Sequence, residues 1–281
     1  MSHANNWANP SAASPQDLAD MAAALEQRGQ ALDQQPVNAA LLSLLAPVPG
    51  ERLLEAGSGT GMLCRQMAAA AAPALGAPGA RQGRVTGLDI SSGFIRIAQG
   101  YAARDGLTGM IQWCTGQAEA LPFGNASFDG ALAARLLLHV SDPAAVLGEL
   151  ARVLRPGGRL AAMDWDFDTL AIDHPNRELT RRVLHWRCDH YGGNNWSGRQ
   201  LWRQMSDAGL SNVRVVPIVS VARHEQDSLT LSLFRSAQVA RDGGGITPGE
   251  HDAWVAELRS ALSAGCFFAS IVYFIVVGNA K

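Results

Sequence analysis

The chain has 281 residues, of which 47% are hydrophobic and 17% charged, with a formal net charge of −2. This composition is typical of a globular protein of one or two domains and excludes a largely disordered or fibrous one. Without a basic run, the chain lacks the charge that holds a nucleic acid backbone, so nucleic acid is not expected as a partner. Lys281 is the only lysine, which excludes Schiff-base chemistry on an internal lysine and a phosphate loop ending in Gly-Lys-Ser/Thr.

The cysteine pattern and the lengths of the apolar runs indicate in which compartment the protein is expected. Four cysteines are scattered without a CxxC pair, so neither a disulfide framework nor a structural zinc site is expected. No apolar stretch reaches the roughly 20 residues that a membrane span needs, and no basic segment followed by an apolar core opens the sequence. We therefore expect a cytoplasmic protein without a membrane span.

The first 50 residues predict a helical cap. Ser14 and Pro15, followed by Asp17, form a helix start, and a second short helix is predicted from Pro36. Residues 51–281 then form the main domain.

From residue 52 onward, short apolar runs alternate with helical segments, which predicts an α/β fold with a mostly parallel sheet and helices on both faces. The sequence "RPGG" at 155–158 predicts a sharp turn into the fifth strand. The predicted strands are 52–55, 84–89, 111–115, 128–133, 158–164, 213–221 and 267–277, and the predicted helices after the cap are 61–72, 91–104, 143–154, 176–191, 198–208, 228–241 and 248–264.

Two motifs point to a ligand at the strand ends. In "LLEAGSGTG", Gly57, Gly59 and Gly61 follow a strand and open a helix, where glycines and free amides allow a ligand to approach the backbone. A dinucleotide fingerprint would need a glycine where Met62 stands, so the spacing argues against NAD. Asp89 ends the second strand, where an acid can accept hydrogen bonds from both ribose hydroxyls. A purely structural turn and a helix cap are the alternatives.

These motifs resemble those of the class I S-adenosylmethionine-dependent methyltransferases, in the small-molecule group that includes the ubiquinone and menaquinone C-methyltransferases. The resemblance runs through "LLEAGSGTG", "VTGLDIS", "GQAEALPFGNASFDG" and "LLLHVSDPAAVLGELARVLRPGGRL". It implies a Rossmann-like seven-stranded sheet with an antiparallel last strand. The cofactor would be S-adenosyl-L-methionine, lying across the strand ends and leaving as S-adenosyl-L-homocysteine.

At the methionyl end of the cofactor, the resemblance places Glu55 near the ammonium group. Gly57, Ser58 and Gly59 would wrap the methionine and ribose, with Gly61 completing the loop. Arg135 follows the fourth strand, where the family's backbone contacts the methionyl group.

At the adenosine end, Asp89 resembles the ribose ligand and Ile90 the residue that packs on adenine. Gln117 stands where the family often has an aspartate that contacts the adenine amino group, and a glutamine can accept the same hydrogen bond. Ala118 would contribute its backbone amide, whereas Glu119 is expected to face water.

The acceptor side is expected in the helical cap and in an insert at 165–210. Asp164, Asp166 and Asp168 alternate, so they should share one face if the fifth strand continues beyond Asp164. His185 and Asp189, four apart on a helix, could simply pair with each other. The candidates for acceptor contact are Trp7, Met21, Trp165, Asp166, Trp186, His190 and Tyr191.

Three residues are candidates for a catalytic base. They are His139, which could instead orient the methionyl end, His174 and Asp164. The run of carboxylates raises the question of magnesium, as in catechol-type O-methyltransferases, but one tight run does not reproduce a ligand set drawn from several segments. No metal is expected.

The sequence thus predicts methyl transfer to a small, apolar or aromatic metabolite, on an oxygen, nitrogen or carbon acceptor atom. Two alternatives stay open: an enzyme that binds the same cofactor but catalyses another reaction, such as a cyclisation, and a binding module with a degenerate cofactor site. The sequence does not fix the oligomeric state.

Overall fold

The computed structural model describes residues 10–71, 83–190 and 192–281. Within these ranges the chain forms one seven-stranded sheet and nine α-helices, after a 3-10 turn at Pro10–Ala12. The strands are β1 (Arg52–Ala56), β2 (Arg84–Asp89), β3 (Ile111–Thr115), β4 (Phe128–Ala134), β5 (Leu154–Ile172), β6 (Ser211–Ala222) and β7 (Ala269–Asn279). The helices are α1 (Pro15–Gln30), α2 (Gln35–Leu45), α3 (Met62–Ala71), α4 (Ser92–Arg104), α5 (Pro143–Val153), α6 (Arg177–His190), α7 (Ser197–Asp207), α8 (Ser228–Asp242) and α9 (Pro248–Ser263).

The strand order is β3-β2-β1-β4-β5-β7-β6. β7 runs antiparallel to both of its neighbours, and the pairs from β3 across to β5 are parallel. This confirms the predicted fold class. β1 lies between β2 and β4. The chain proceeds from β1 to β2 and β3 on one side and then crosses to β4 on the other, so a crevice is expected at the carboxyl ends of these strands.

Local sequence signals fix several helix starts. Ser14 Oγ accepts a hydrogen bond from the Asp17 amide at 3.1 Å, which confirms the predicted start of α1. Asp142 caps α5 in the same way at 2.9 Å. At α9, Thr247 and Glu250 form a reciprocal capping box. Each cap satisfies amides that the first helical turn leaves unpaired.

The two helices of the predicted cap pack in different places. α2 contributes Val37, Leu41 and Leu45 to the main hydrophobic core against the sheet. α1 packs on α4 instead, where Met21 contacts a small cluster that includes Phe94. Met21 is therefore a packing residue, and the prediction that it contacts the acceptor is not supported. None of the described helices is long and apolar enough to cross a membrane.

β5 is longer than predicted, spanning 19 residues rather than 158–164. Its pairing with β4 jumps from Phe128 opposite Leu154 to Gly130 opposite Arg159. The "RPGG" segment is therefore an irregularity within the strand rather than a turn before it. The strand extends beyond Asp164 because the long β7 pairs with it as far as Ile172.

Candidate active site

A cavity of about 450 Å³ opens at the carboxyl ends of β1, β2 and β4. Its remaining walls come from α1, α6, α8, β5 and β7. Eight of the ten predicted cofactor residues line it: Glu55, Gly57, Ser58, Gly59, Asp89, Ile90, Ala118 and Arg135. Gly61 and Gln117 do not.

The glycine loop adopts a backbone that other residues rarely take. Gly57, Gly59 and Gly61 have φ angles of 72°, 52° and 74°, in the left-handed region that favours glycine. A Cβ on Gly57 would lie 2.8 Å from Leu136 Cδ1, and one on Gly61 would overlap the ring of Trp113. Gly57 and Gly59 therefore form the cavity wall, whereas Gly61 allows close packing behind it.

Asp89 joins two loops of the site. Its Oδ2 accepts a hydrogen bond from the Gly59 amide at 2.8 Å, and its Oδ1 accepts one from the Ser91 amide at 2.9 Å. Burial raises the pKa of this carboxyl, while the two amides oppose the shift. A carboxylate offers about four acceptor sites, so one that lines the cavity can still accept hydrogen bonds from ribose hydroxyls.

Glu55 is a buried acid at the floor of the cavity. It is only 3% exposed, and Cys64 Sγ donates to its Oε2 at 2.9 Å. Burial raises its pKa to about 7. No described basic side chain forms an ion pair with it, so a cationic group entering the cavity would stabilise its charged form. An ammonium group fits this position.

At the predicted adenine end, Ile90 is 40% exposed and lines the cavity beside the buried Ala118. Gln117 is exposed and lies outside the lining, whereas Glu119 lines the cavity. The sequence-based assignments of these two neighbours are therefore not supported: Glu119 was expected to face water and Gln117 to face the adenine. Both residues lie in a turn, in which the Gln117 carbonyl accepts from the Ala120 amide at 3.3 Å.

Arg135 lines the cavity with an unusual backbone for a non-glycine residue, φ 54°. Its amide donates to the Met163 carbonyl at 2.7 Å, and its Nη2 donates to Asn38 Oδ1 at 3.2 Å. Its Nη1 is buried and has no hydrogen-bond partner among the described residues. Such a donor in a cavity wall suits an acceptor oxygen of a bound molecule.

His139 also lines the cavity. Burial and the positive charges of Arg28 and Arg187 lower its pKa to about 3. Its imidazole is therefore neutral over the physiological range, and its low proton affinity makes it a weak base.

The other two candidate bases lie outside the cavity. His174 Nδ1 accepts from the Asn176 amide at 3.0 Å, its Nε2 lies 3.3 Å from the Trp254 carbonyl, and its ring stacks on Trp254. Asp164 is 1% exposed, and its Oδ2 accepts from Ser197 Oγ at 2.6 Å; burial raises its pKa to about 7. Neither placement supports a role as base, because both groups are enclosed in packing contacts.

One predicted acceptor residue lines the cavity, namely Trp165, which packs edge-on against Tyr273 with ring centroids 6.1 Å apart. Asp166 instead pairs with Arg199, whose Nη2 lies 2.7 Å from Asp166 Oδ1. Trp186 and His190 stack on each other at 3.8 Å, away from the cavity. Trp7 and Tyr191 lie outside the described residues.

The lining residues that the sequence did not indicate include Arg28, Phe167, Arg187, Arg235 and Tyr273. They come from α1, β5, α6, α8 and β7, and only the alternation along β5, which puts Phe167 on the face of Trp165, carried a usable signal. Among the described residues, no group of three or more His, Cys, Asp or Glu side chains could hold a metal ion.

The comparisons with known proteins point to one family. Residues 54–162 match the family described as "Methyltransferase domain". A Streptomyces fradiae protein described as an uncharacterized 37.1 kDa protein in transposon TN4556 is 35% identical over 85% of this chain and 66% of its own length. The O-methyltransferase cnsE of Penicillium expansum is 37% identical over 47% of this chain and 42% of its own. The chain thus spans less than two thirds of the length of each.

The fold comparison agrees. A candidate methyltransferase from Bacillus halodurans C-125 superimposes with a TM-score of 0.60 and 15% identity, covering 87% of this chain and 98% of its own. The glycine loop, Glu55 and Asp89 line one cavity, and the cofactor that the family match supports is S-adenosylmethionine. Residues 54–162 therefore carry a methyltransferase domain, and the chain is similar in sequence and fold to the class I S-adenosylmethionine-dependent methyltransferases.

Proposed function

We propose that this protein transfers a methyl group from S-adenosylmethionine to a small acceptor with an apolar or aromatic body. The observation that carries the proposal is the continuity of one cavity. The residues suited to the methionyl end, Glu55 and Arg135, share it with an aromatic wall of Trp165, Phe167 and Tyr273.

The chain's own residues would hold the cofactor in place. Asp89 would accept hydrogen bonds from the ribose, Ile90 and Ala118 would contact the adenine, and Glu55 would bind the ammonium group. When bound, the cofactor supplies an electrophilic methyl group on a sulfonium. The aromatic wall would orient an acceptor against it, and positioning of this kind can supply about 7–11 kcal/mol of a barrier.

The weak basicity of His139 favours catalysis by positioning over proton abstraction by this residue. The relative from Penicillium expansum is named an O-methyltransferase, which favours an oxygen acceptor. An acceptor hydroxyl of low pKa would need no strong base, because a useful fraction of it is ionised at neutral pH.

Calorimetric titration with S-adenosylmethionine and S-adenosylhomocysteine, followed by an acceptor screen, tests the proposal. We expect micromolar affinity for both compounds and accumulation of S-adenosylhomocysteine with at least one phenolic or apolar acceptor. A methylated product should form in equal amount, as measured by mass spectrometry.

A matched pair of variants separates the site from general stability. Asp89→Ala should lose cofactor affinity, and Asp142→Ala, which removes the cap of α5, should keep it. Turnover of an acceptor without S-adenosylhomocysteine would indicate a non-methylating enzyme. A folded, empty protein that binds neither compound would indicate a degenerate binding module.

A further inference from the structure

Four arginines line the described part of the cavity, and two of them have no hydrogen-bonded or ion-paired side-chain partner among the described residues. Arg187 donates to Asn195 Oδ1 at 3.3 Å and lies 4.7 Å above the ring of Phe167. Arg135 is held in part by Asn38. For Arg28 on α1 and Arg235 on α8, by contrast, no described carboxylate lies within ion-pair distance, and neither guanidinium forms a hydrogen bond within the described ranges.

These guanidinium groups are near enough to repel one another. Burial and the positive charges of Arg135 and Arg235 lower the pKa of Arg28 to about 9. At Arg28, a half-buried guanidinium without a counter-ion among the described residues is costly. A bound anion would offset that cost.

The acidic groups of the cavity are engaged elsewhere. Glu55 is hydrogen-bonded to Cys64, and Asp89 accepts from two backbone amides. Glu119 lies next to Ala118 at the predicted adenine end. The cavity is therefore acidic in the half suited to the cofactor and basic between α1 and α8.

We infer that Arg28 and Arg235 bind an anionic group of the acceptor, either a carboxylate or a phosphate. This inference rests on the proposed function. Guanidinium groups match both anions through paired hydrogen bonds. Arg235 is exposed and lies one helical turn from Ser232, which also lines the cavity, so it stands at the rim, where an entering acceptor passes.

The aromatic wall lies in the same cavity as these arginines and indicates the chemistry of the uncharged part of the acceptor. Trp165 and Tyr273 offer ring faces and edges to an apolar body, while the guanidinium groups would take its charged end. The acceptor class is then an aromatic or apolar molecule that carries one carboxylate or phosphate.

A binding experiment on the protein saturated with S-adenosylhomocysteine tests the inference, because the cofactor's own carboxylate is then already in place. The probes are 2-naphthoate, 2-naphthyl phosphate and the neutral 2-naphthamide. We expect at least one anion to bind about tenfold or more tightly than the amide, and the stronger of the two identifies the anion class.

The variants assign that preference to residues. Arg235→Leu should bring the affinities for the anion and the amide to within about twofold of each other and leave S-adenosylhomocysteine affinity unchanged. Arg235→Lys should keep part of the preference. Arg203→Leu, on the exposed part of α7 and outside the cavity, is the control and should change neither.

Three results would overturn the inference: equal affinity of the wild type for anion and amide, an unchanged preference in Arg235→Leu, or loss of S-adenosylhomocysteine affinity in Arg28→Leu with the preference intact. The last would assign Arg28 to the cofactor's carboxylate. If the wild type does not bind S-adenosylhomocysteine at all, the proposed function fails, and the naphthoate preference of the cofactor-free protein still decides the anion site.

Discussion

The two halves of the cavity are built in different ways. The half suited to the cofactor consists of short segments at the ends of β1, β2, β3 and β4, each directly continuous with its strand. The half suited to the acceptor is assembled from single side chains on α1, α6, α8, β5 and β7, which are far apart in the sequence. The first half therefore depends on local backbone geometry, and the second on how distant elements pack.

The largest effect is expected from a substitution in the glycine loop, which would disrupt the backbone of the cofactor half. Gly59→Val places a branched side chain at φ 52°, with its Cβ 3.1 Å from Leu25 Cδ1 and its bulk in the cavity. We expect cofactor binding to become undetectable by calorimetry. Gly106→Val is the matched control, because Gly106 has φ 71° and open space around its Cβ position. The Gly106→Val variant should lose roughly 1–2 kcal/mol of stability, as Gly59→Val does, but keep its affinity for the cofactor. Normal binding by Gly59→Val would mean that the loop does not contact the cofactor.

A smaller loss is expected from Asp89→Ala. Removing hydrogen bonds to a charged group costs about 1.5–3 kcal/mol, so the cofactor dissociation constant should rise roughly 10- to 150-fold. Some of this effect is indirect, because Asp89 also holds the Gly59 amide at 2.8 Å. Asp89→Asn, which keeps one acceptor oxygen, should fall between the wild type and alanine. An unchanged affinity in both variants would remove Asp89 from the ribose site.

The raised pKa of Glu55 predicts how stability and cofactor affinity depend on pH, which tests the cofactor half of the cavity. Its folded-state pKa of about 7 lies above the ordinary value of 4.5. The empty protein should therefore be most stable below pH 4.5 with respect to this group, and should lose that contribution as pH rises through 7. The shift corresponds to about 3 kcal/mol. Cofactor binding should require the charged form and so weaken below pH 7.

Glu55→Gln separates this contribution from that of Asp164, whose pKa is also raised to about 7. In thermal unfolding between pH 5 and pH 8, Glu55→Gln and Asp164→Asn should each flatten part of the slope. Only Glu55→Gln should also remove the pH dependence of cofactor affinity. An identical effect of both variants on affinity would contradict the placement of Glu55 at the ammonium group.

The sequence predicted the cofactor half well because its signals are local. A glycine loop after an apolar strand and an acid at the end of the next strand are readable from spacing alone, and Gly57, Gly59 and Asp89 all line the cavity. Gln117 lies outside the cavity lining and Glu119 within it, and spacing alone does not distinguish two neighbours that lie in one turn.

The acceptor half was predicted less well for a different reason. The alternation of Asp164, Asp166 and Asp168 on one face of β5 was predicted correctly, since Asp166 and Asp168 both lie near Arg199. That face, however, packs on α7, and the opposite face carries Trp165 and Phe167 into the cavity. Periodicity shows which residues share a face, but only tertiary packing shows which face meets the ligand.

The smallest effect on catalysis is expected from substitutions of two histidines. His139 lines the cavity, whereas His174 lies outside it. His139→Gln should lower kcat less than tenfold with the acceptor that supports turnover, because an imidazole whose pKa is about 3 is a poor proton acceptor. His174→Gln should leave kcat unchanged and instead lower the free energy of unfolding by about 1–3 kcal/mol, because it loses the contacts to Asn176 and Trp254. A hundredfold loss of kcat in His139→Gln, with normal cofactor affinity, would contradict this expectation and make His139 the candidate base.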